Sequence, residues 1–210
     1  MMKKAVLLIA LFPCLVRAGD FKKARDGEYE FTGTMLPGDV SALRLIFATE
    51  KGPLRITVDS PGGYLSAGIE MAEVTSLMKD RVTMVAKECF SAAALWVAAD
   101  RYEFYDDKSL VAFHLPWMSL GGTPIEQSIG DTSRMAVAIW ESMRRTMDGP
   151  GADTVFQAMC DARDWKGINA FVVFRRNKPV QTGFWKPDGW EWQDGTLSRA
   201  TRLDPFYIKP

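Results

Sequence analysis

Strand-like and helix-like segments alternate between Tyr29 and Phe113, and this alternation restricts the possible architectures more than any other feature of the sequence. The predicted strands cover 29–34, 54–58, 82–86, 102–105 and 110–113, and the predicted helices cover 39–50, 65–79 and 91–99. Each strand-helix-strand unit is long enough for one crossover, so the strands are expected to pair in parallel through right-handed connections. The sequence therefore predicts an α/β fold built from repeated βαβ units.

The pattern changes beyond His114. One long helix is predicted over 125–147, ended by the sequence Asp-Gly-Pro-Gly at 148–151, and a second helix over 152–162. From Trp165 the chain is rich in aromatic and turn residues, with a strand expected at 170–174 and a turn at 186–189. These features divide the chain into a leader (1–18), an α/β domain (19–164) and a small aromatic C-terminal β extension (165–210) packed on that domain.

The first eighteen residues are typical of a secretory signal peptide. Lys3 and Lys4 precede an apolar run at 5–12, and Val16 and Ala18 occupy the positions that a signal peptidase reads for cleavage after Ala18. The apolar run is shorter than the roughly 20 residues of a membrane-spanning helix. We expect a periplasmic or secreted protein with no stable membrane insertion after cleavage; an uncleaved anchor is the alternative.

Composition excludes several classes of function. The chain has 26 basic and 26 acidic residues, and loss of the leader removes only basic ones, so a nucleic-acid partner is not expected. The single histidine and the three cysteines match no metal-binding spacing, and no metal or organic cofactor is expected. Cys89 and Cys160 either form a disulfide in an oxidising compartment or remain separate thiols.

Three polar motifs are predicted at strand ends, where open α/β folds place their active sites. Gly62 and Gly63 allow close backbone approach and aligned N–H donors for an oxyanion, or they simply form a turn. Ser91 is either the N-cap of the helix that Ala92 begins or a nucleophile above it. His114 is the only imidazole available as a base, although a lone histidine on a strand is commonly structural.

The stretch 56–116, with the motifs SPGG, CFSAAA and FHLP, resembles the proteolytic subunit of Clp protease within the Clp/crotonase fold. More specifically, it is similar to predicted periplasmic proteins related to that subunit, over about residues 29–116. The resemblance implies Ser91 as nucleophile and His114 as general base. It also implies an oxyanion hole formed by the glycine turn, Gly62 and Gly63, together with the Ala92 N–H. Asp164 matches the acid that orients the imidazole, and Asp161 is its competitor.

These features together predict an exported serine hydrolase, a peptidase acting on peptides or proteins through an acyl-enzyme, in a possible homo-oligomer. A catalytically silent scaffold or peptide-binding protein is the alternative from another class. Acyl-CoA chemistry, the other activity of this fold, fits poorly with export. A Ser–Lys dyad is disfavoured because residues 109–165 contain no lysine.

Overall fold

The computed structural model describes residues 19–100, 102–115, 118–120, 123–125, 129–147, 149–166, 170–178, 181–186 and 189–194. The predicted signal peptide and the last residues of the C-terminal extension lie outside the described residues. In the described part of the chain, no helix combines the length and apolar character that a membrane crossing requires.

The N-terminal half alternates strands and helices as its sequence predicts. Its elements are β1 (Asp20–Arg25), β2 (Glu28–Thr32), α1 (Pro37–Thr49), β3 (Leu54–Ser60), α2 (Leu65–Ser76), β4 (Val82–Phe90), α3 (Ala92–Val97), β5 (Tyr102–Phe104) and β6 (Leu110–Phe113). Strands β2, β3, β4 and β6 pair in parallel, and β5 also pairs in parallel with the first part of β4. The predicted parallel α/β arrangement is therefore confirmed for this half.

The C-terminal half contains two helices and a set of antiparallel strands. Its elements are β7 (Met118–Leu120), β8 (Thr123–Ile125), α4 (Ile129–Thr146), α5 (Gly149–Lys166), β9 (Ala170–Arg175), β10 (Gln181–Lys186) and β11 (Gly189–Asp194). Strands β7 and β8 form a separate two-stranded sheet. Strand β9 pairs antiparallel with β6, so the C-terminal strands continue the main sheet.

The main sheet has the strand order β1-β2-β3-β4-β6-β9-β10-β11, with β5 beside β4. The strand that ends before His114 therefore lies in the interior of the sheet, between the parallel half and the antiparallel half. The aromatic hairpin predicted near the C-terminus is present, with Trp185 opposite Trp190. Its turn residues, Pro187 and Asp188, lie outside the described residues.

The hydrophobic core lies between the sheet and the helices. Leu54, Ile56 and Val58 alternate into it from β3, as expected for a strand with period two. Trp96 of α3 is fully buried, and its Nε1 donates a hydrogen bond to Thr75 Oγ1 at 2.8 Å. The indole also packs edge-to-face on Phe31, with ring centroids 5.2 Å apart. Helix α3 is thus fixed against α2 and β2 by its largest side chain.

Two predicted boundaries are wrong for identifiable reasons. The strand expected at 82–86 continues to Phe90, because the end of β4 pairs with β6 after β5 has ended. The long helix ends at Thr146, close to its predicted end, but the second helix, expected from 152, already begins at Gly149. Proline is well tolerated in the first helical turn, where its missing N–H has no intrahelical acceptor.

Candidate active site

The carboxyl ends of β3, β4 and β6 bring the three predicted motifs to one edge of the sheet. In register, Ser60 of β3 lies opposite Cys89 of β4, and Phe90 of β4 lies opposite Ala112 of β6. The glycine turn follows β3, Ser91 follows β4 and His114 follows β6. Because adjacent strands are about 4.8 Å apart, these segments are immediate neighbours.

Ser91 occupies a strained turn between β4 and α3. Its backbone dihedrals are φ 56° and ψ −121°, and within the described residues only Asn177 shares a positive φ among non-glycine residues. Asparagine adopts such angles readily, whereas serine at this conformation costs roughly 1–3 kcal/mol. The turn is held by the Ser91 N–H, which donates to the Ala112 carbonyl at 2.9 Å.

The Ser91 hydroxyl does not cap α3. The helix has no side-chain hydrogen bond at its N-cap, so the interpretation of Ser91 as an ordinary capping residue is wrong. A serine on a sharp strand-to-helix turn, with its hydroxyl outside the helix hydrogen-bonding pattern, has the local geometry of many serine nucleophiles.

Gly62 lies directly against this serine. It has φ +90°, and a Cβ atom at this position would be 2.6 Å from the Phe90 carbonyl oxygen and 2.8 Å from Ser91 Cβ. Only glycine fits a backbone that approaches so closely with this φ. The Gly62 N–H is already committed, since it donates to Ser60 Oγ at 3.1 Å. Gly62 therefore allows the glycine turn to lie close to Ser91. Its predicted role as an oxyanion donor is not compatible with the hydrogen bond to Ser60.

Gly63 faces the segment after β2. The Met35 N–H donates to the Gly62 carbonyl at 2.8 Å, and the Tyr64 N–H donates to the Met35 carbonyl at 3.0 Å. In such a parallel bridge, the central residue, Gly63, directs its own N–H away from Met35. Its φ is +152°, and a side chain would collide with the Met35 backbone.

Ala92 is the first residue of α3, and its nitrogen is 3.0 Å from the position of a Cβ on Gly62. The first N–H groups of a helix have no intrahelical acceptor. Gly68 of α2 packs against Ala92, and a Cβ there would lie 2.8 Å from the Ala92 oxygen. The Ala92 N–H is thus held beside the glycine turn by close helix packing.

His114 is buried, with 8% of its surface exposed, and its ring packs on Phe171 with centroids 4.4 Å apart. Its Nδ1 is 2.6 Å from the Leu115 carbonyl oxygen. A carbonyl only accepts, so Nδ1 carries the hydrogen and Nε2 holds the lone pair of the neutral ring. Burial lowers the pKa of His114 to about 4, which keeps it neutral at pH 7.

The two candidate acids lie on α5. Asp161 accepts a hydrogen bond from Gln157 Nε2 at 2.8 Å, on the exposed side of its own helix. The backbone of Asp164 belongs to the same helix, but its side chain lies outside the described part of the structure. Helix α5 packs on β9, the strand beside β6.

The two cysteines are thiols and form no disulfide with each other. Cys89 is fully buried, donates to the Val58 carbonyl at 3.2 Å and has a pKa raised by burial. Such a thiol is a poor nucleophile because its thiolate is disfavoured. Among the described residues, no three His, Cys, Asp or Glu side chains converge as metal ligands do.

Ser60 is a site residue that the sequence reasoning did not assign. It is 1% exposed, donates to the Gly33 carbonyl at 2.6 Å and accepts the Gly62 N–H. Its hydroxyl thereby joins the end of β2 to the glycine turn. The signal was available: Ser60 continues the inward alternation of Leu54, Ile56 and Val58, and a buried hydroxyl requires partners.

Comparison with known proteins gives no family assignment. No family model matches the chain, and no curated protein matches it. A membrane-bound stomatin-specific protease, solved as a mutant, shares 13% identity and a TM-score of 0.46, covering 66% of this chain and 75% of that one. A peptidase from Plasmodium falciparum shares 13% identity and a TM-score of 0.39, covering 66% of this chain and 90% of that one. Likeness at this level does not decide the activity.

Proposed function

We propose that this protein is an exported serine hydrolase, a peptidase of the Clp-like type, with Ser91 as nucleophile and His114 as general base. The observation that carries the proposal is the strained Ser91 turn, whose hydroxyl does not cap α3 and whose backbone lies against Gly62. A buried neutral imidazole at the end of the neighbouring strand supplies the base that a serine hydroxyl needs at neutral pH.

Acyl transfer would proceed in two balanced steps. Ser91 Oγ attacks the substrate carbonyl while His114 Nε2 takes the hydroxyl proton, and the resulting oxyanion accepts hydrogen bonds from the Gly63 and Ala92 N–H groups. The carbon–nitrogen bond then breaks, and the imidazolium returns the proton to the leaving amine. Water, deprotonated by the same imidazole, hydrolyses the acyl-enzyme and regenerates the serine.

The imidazole has an orienting partner within the described residues. The Leu115 carbonyl accepts the Nδ1 hydrogen, which fixes the tautomer with the lone pair on Nε2, the atom that takes the Ser91 proton in this proposal. In the proposal Asp164 assists this ring through its negative charge, which would stabilise the imidazolium, since the Nδ1 hydrogen is held by Leu115. Asp161 is less suited because it accepts a hydrogen bond from Gln157 on its own helix. Comparison of Asp164→Asn with Asp161→Asn tests this assignment, because only Asp164→Asn should slow acylation. If neither variant is acylated more slowly than the parent protein, the mechanism is a Ser–His dyad.

Labelling by a fluorophosphonate probe tests the nucleophile. The exported protein should be labelled, Ser91→Ala should not, and His114→Gln should react at least about 100-fold more slowly. Ser76→Ala is the matched control, since Ser76 bonds only the carbonyl of Glu73 at the end of α2. The alternative is a catalytically silent peptide-binding protein that keeps the fold without forming an acyl-enzyme. Unlabelled but fully folded protein would support that alternative.

The partners and location proposed here are a peptide or protein substrate, a homo-oligomer and a periplasmic or secreted location. Cell fractionation and sedimentation of the purified protein test the last two. Recovery of the intact chain, with its first eighteen residues, in the cytoplasm would contradict the proposed export.

A further inference from the structure

Gly19, the first described residue, lies against the side chain of Asp39 in α1. A Cβ atom on Gly19 would be 2.5 Å from Asp39 Oδ2 and would also collide with the Phe31 ring. No residue other than glycine fits this space without displacing a buried aromatic ring and a carboxylate. The backbone nitrogen of a residue is about 2.5 Å from its Cβ position, so the Gly19 nitrogen is within about 5 Å of Oδ2.

Asp39 is a buried carboxylate in the first turn of α1. It is 9% exposed, and its Oδ2 accepts the Leu36 N–H at 2.7 Å. Burial raises the pKa of Asp39, the Leu36 hydrogen bond opposes this only in part, and no charged group of the described residues contributes. A carboxylate removed from water is costly unless a positive charge approaches it, so this position favours an ammonium group.

Signal-peptide cleavage would create that group at this place. Hydrolysis of the Ala18–Gly19 peptide bond by a signal peptidase adds water across it, leaving a carboxylate on Ala18 and an α-ammonium on Gly19. The amide nitrogen of the precursor has one hydrogen and no charge, whereas the ammonium has three donors and a positive charge. The ion pair requires the freed terminus to rotate until its nitrogen lies within about 4 Å of Oδ2.

The segment 33–36, between β2 and α1, is hydrogen-bonded both to Asp39 and to the glycine turn. Asp39 bonds Leu36, and the adjacent Met35 exchanges two backbone hydrogen bonds with Gly62 and Tyr64, which flank Gly63. Ser60 adds a further link, from the glycine turn to the start of this segment at Gly33. Asp39 is therefore connected with the turn proposed to bind the oxyanion through hydrogen bonds made by two consecutive residues, Leu36 and Met35.

We propose that the α-ammonium of Gly19, formed by signal-peptide cleavage, makes an ion pair with Asp39 that braces this segment and so completes the oxyanion site. The inference rests on the proposed export and, for its catalytic part, on the proposed hydrolase. Asp39 is a positioning residue in this scheme, because it acts through Leu36 and Met35.

A thermodynamic cycle tests the ion pair. The full chain is expressed with its leader, exported and purified, and intact mass should show Gly19 as the first residue. One alanine is inserted after Ala18, and the mature protein that begins with this alanine is identified by its mass. In that protein the ammonium group lies one residue further from Asp39. This change should lower the folding equilibrium constant about tenfold, and should have no effect in the Asp39→Asn background. Asparagine still accepts the Leu36 N–H, and Asp20→Asn is the control for a neighbouring acid.

The catalytic part is tested by fluorophosphonate kinetics on the same proteins. The inserted alanine and Asp39→Asn should each lower the maximal labelling rate at Ser91 at least about fivefold, with unchanged reversible affinity for the probe. Additive stability effects, or a mature chain that does not begin at Gly19, would overturn the ion pair. An unchanged labelling rate would overturn the coupling. Absence of labelling in the unmodified protein would overturn the hydrolase and the coupling together, while the stability cycle still decides the ion pair.

Discussion

Acidification is expected to destabilise this protein through its single histidine. Burial lowers the pKa of His114 from 6.5 to about 4, so the folded protein resists protonation that the unfolded chain accepts freely. The unfolded state therefore binds more protons as the pH falls below about 6.5. By linkage, the contribution of His114 to stability is complete above that pH and is lost progressively down to about pH 4.

The size of this effect follows from the shift. One pKa unit corresponds to about 1.4 kcal/mol, so the change from 6.5 to about 4 is worth about 3 kcal/mol, most of it lost by pH 4.5. Carboxyl groups with lowered pKa values, such as those of Glu28 and Glu50, also lose stabilising interactions in acid. Comparison with His114→Gln removes their contribution, because both proteins share them.

The assay needs no resonance assignment, since the chain contains one histidine. An NMR titration of its imidazole should show a midpoint near pH 4, and nitrogen shifts should show the hydrogen on Nδ1. Urea denaturation at pH 7 and pH 4.5 should show that the parent protein loses about 2.5 kcal/mol more than His114→Gln. A midpoint between pH 6 and 7, or a hydrogen on Nε2, would refute both the burial argument and the assignment of Nε2 as the base.

Three further substitutions test the backbone and the core. Ser91→Gly should abolish fluorophosphonate labelling yet stabilise the fold by about 1 kcal/mol in urea, because glycine relieves the positive φ; equal stability of Ser91→Gly and Ser91→Ala would argue against strain. Gly62→Ala should cost about 2 kcal/mol and slow labelling, whereas Gly52→Ala, with open space around it, should change neither. Thr75→Val should lower the free energy of unfolding by about 2 kcal/mol, because the buried Trp96 Nε1 loses its acceptor. A loss below about 0.5 kcal/mol would show that the indole N–H has another acceptor.

The sequence predicted the elements that bury one clear face and missed those that do not. Strand β3 was predicted because its apolar residues alternate into the core, and α1 because Leu43 and Phe47 share a buried face. Strand β1 is not among the predicted strands. It is an edge strand, DFKKAR, mostly exposed and paired on one side only, so its composition carries no burial pattern.

The sequence predicted that the three motifs follow neighbouring strands, but not the detailed geometry of the candidate site. Strand-end placement brought Ser91 and His114 together, as the order of the elements predicted. The same sequence is compatible with a serine that caps the helix and with one on a strained turn. The backbone dihedrals of Ser91 therefore could not be predicted from the sequence. The choice of Gly63 over Gly62 as donor likewise depends on the Ser60 hydrogen bond, which joins two segments distant in the chain.

The position of β6 has a consequence for the order of folding. This strand precedes His114 and pairs with β4 on one side, but its other side is completed by β9, with Leu110 opposite Arg175. Pairing across such a sequence separation is slow, and the partner is synthesised only after both long helices. In a chain that still lacks β9, the side of the His114 ring that packs on Phe171 would remain uncovered. The proposed base would be among the last parts of the site to be fixed, which would keep an incomplete chain inactive.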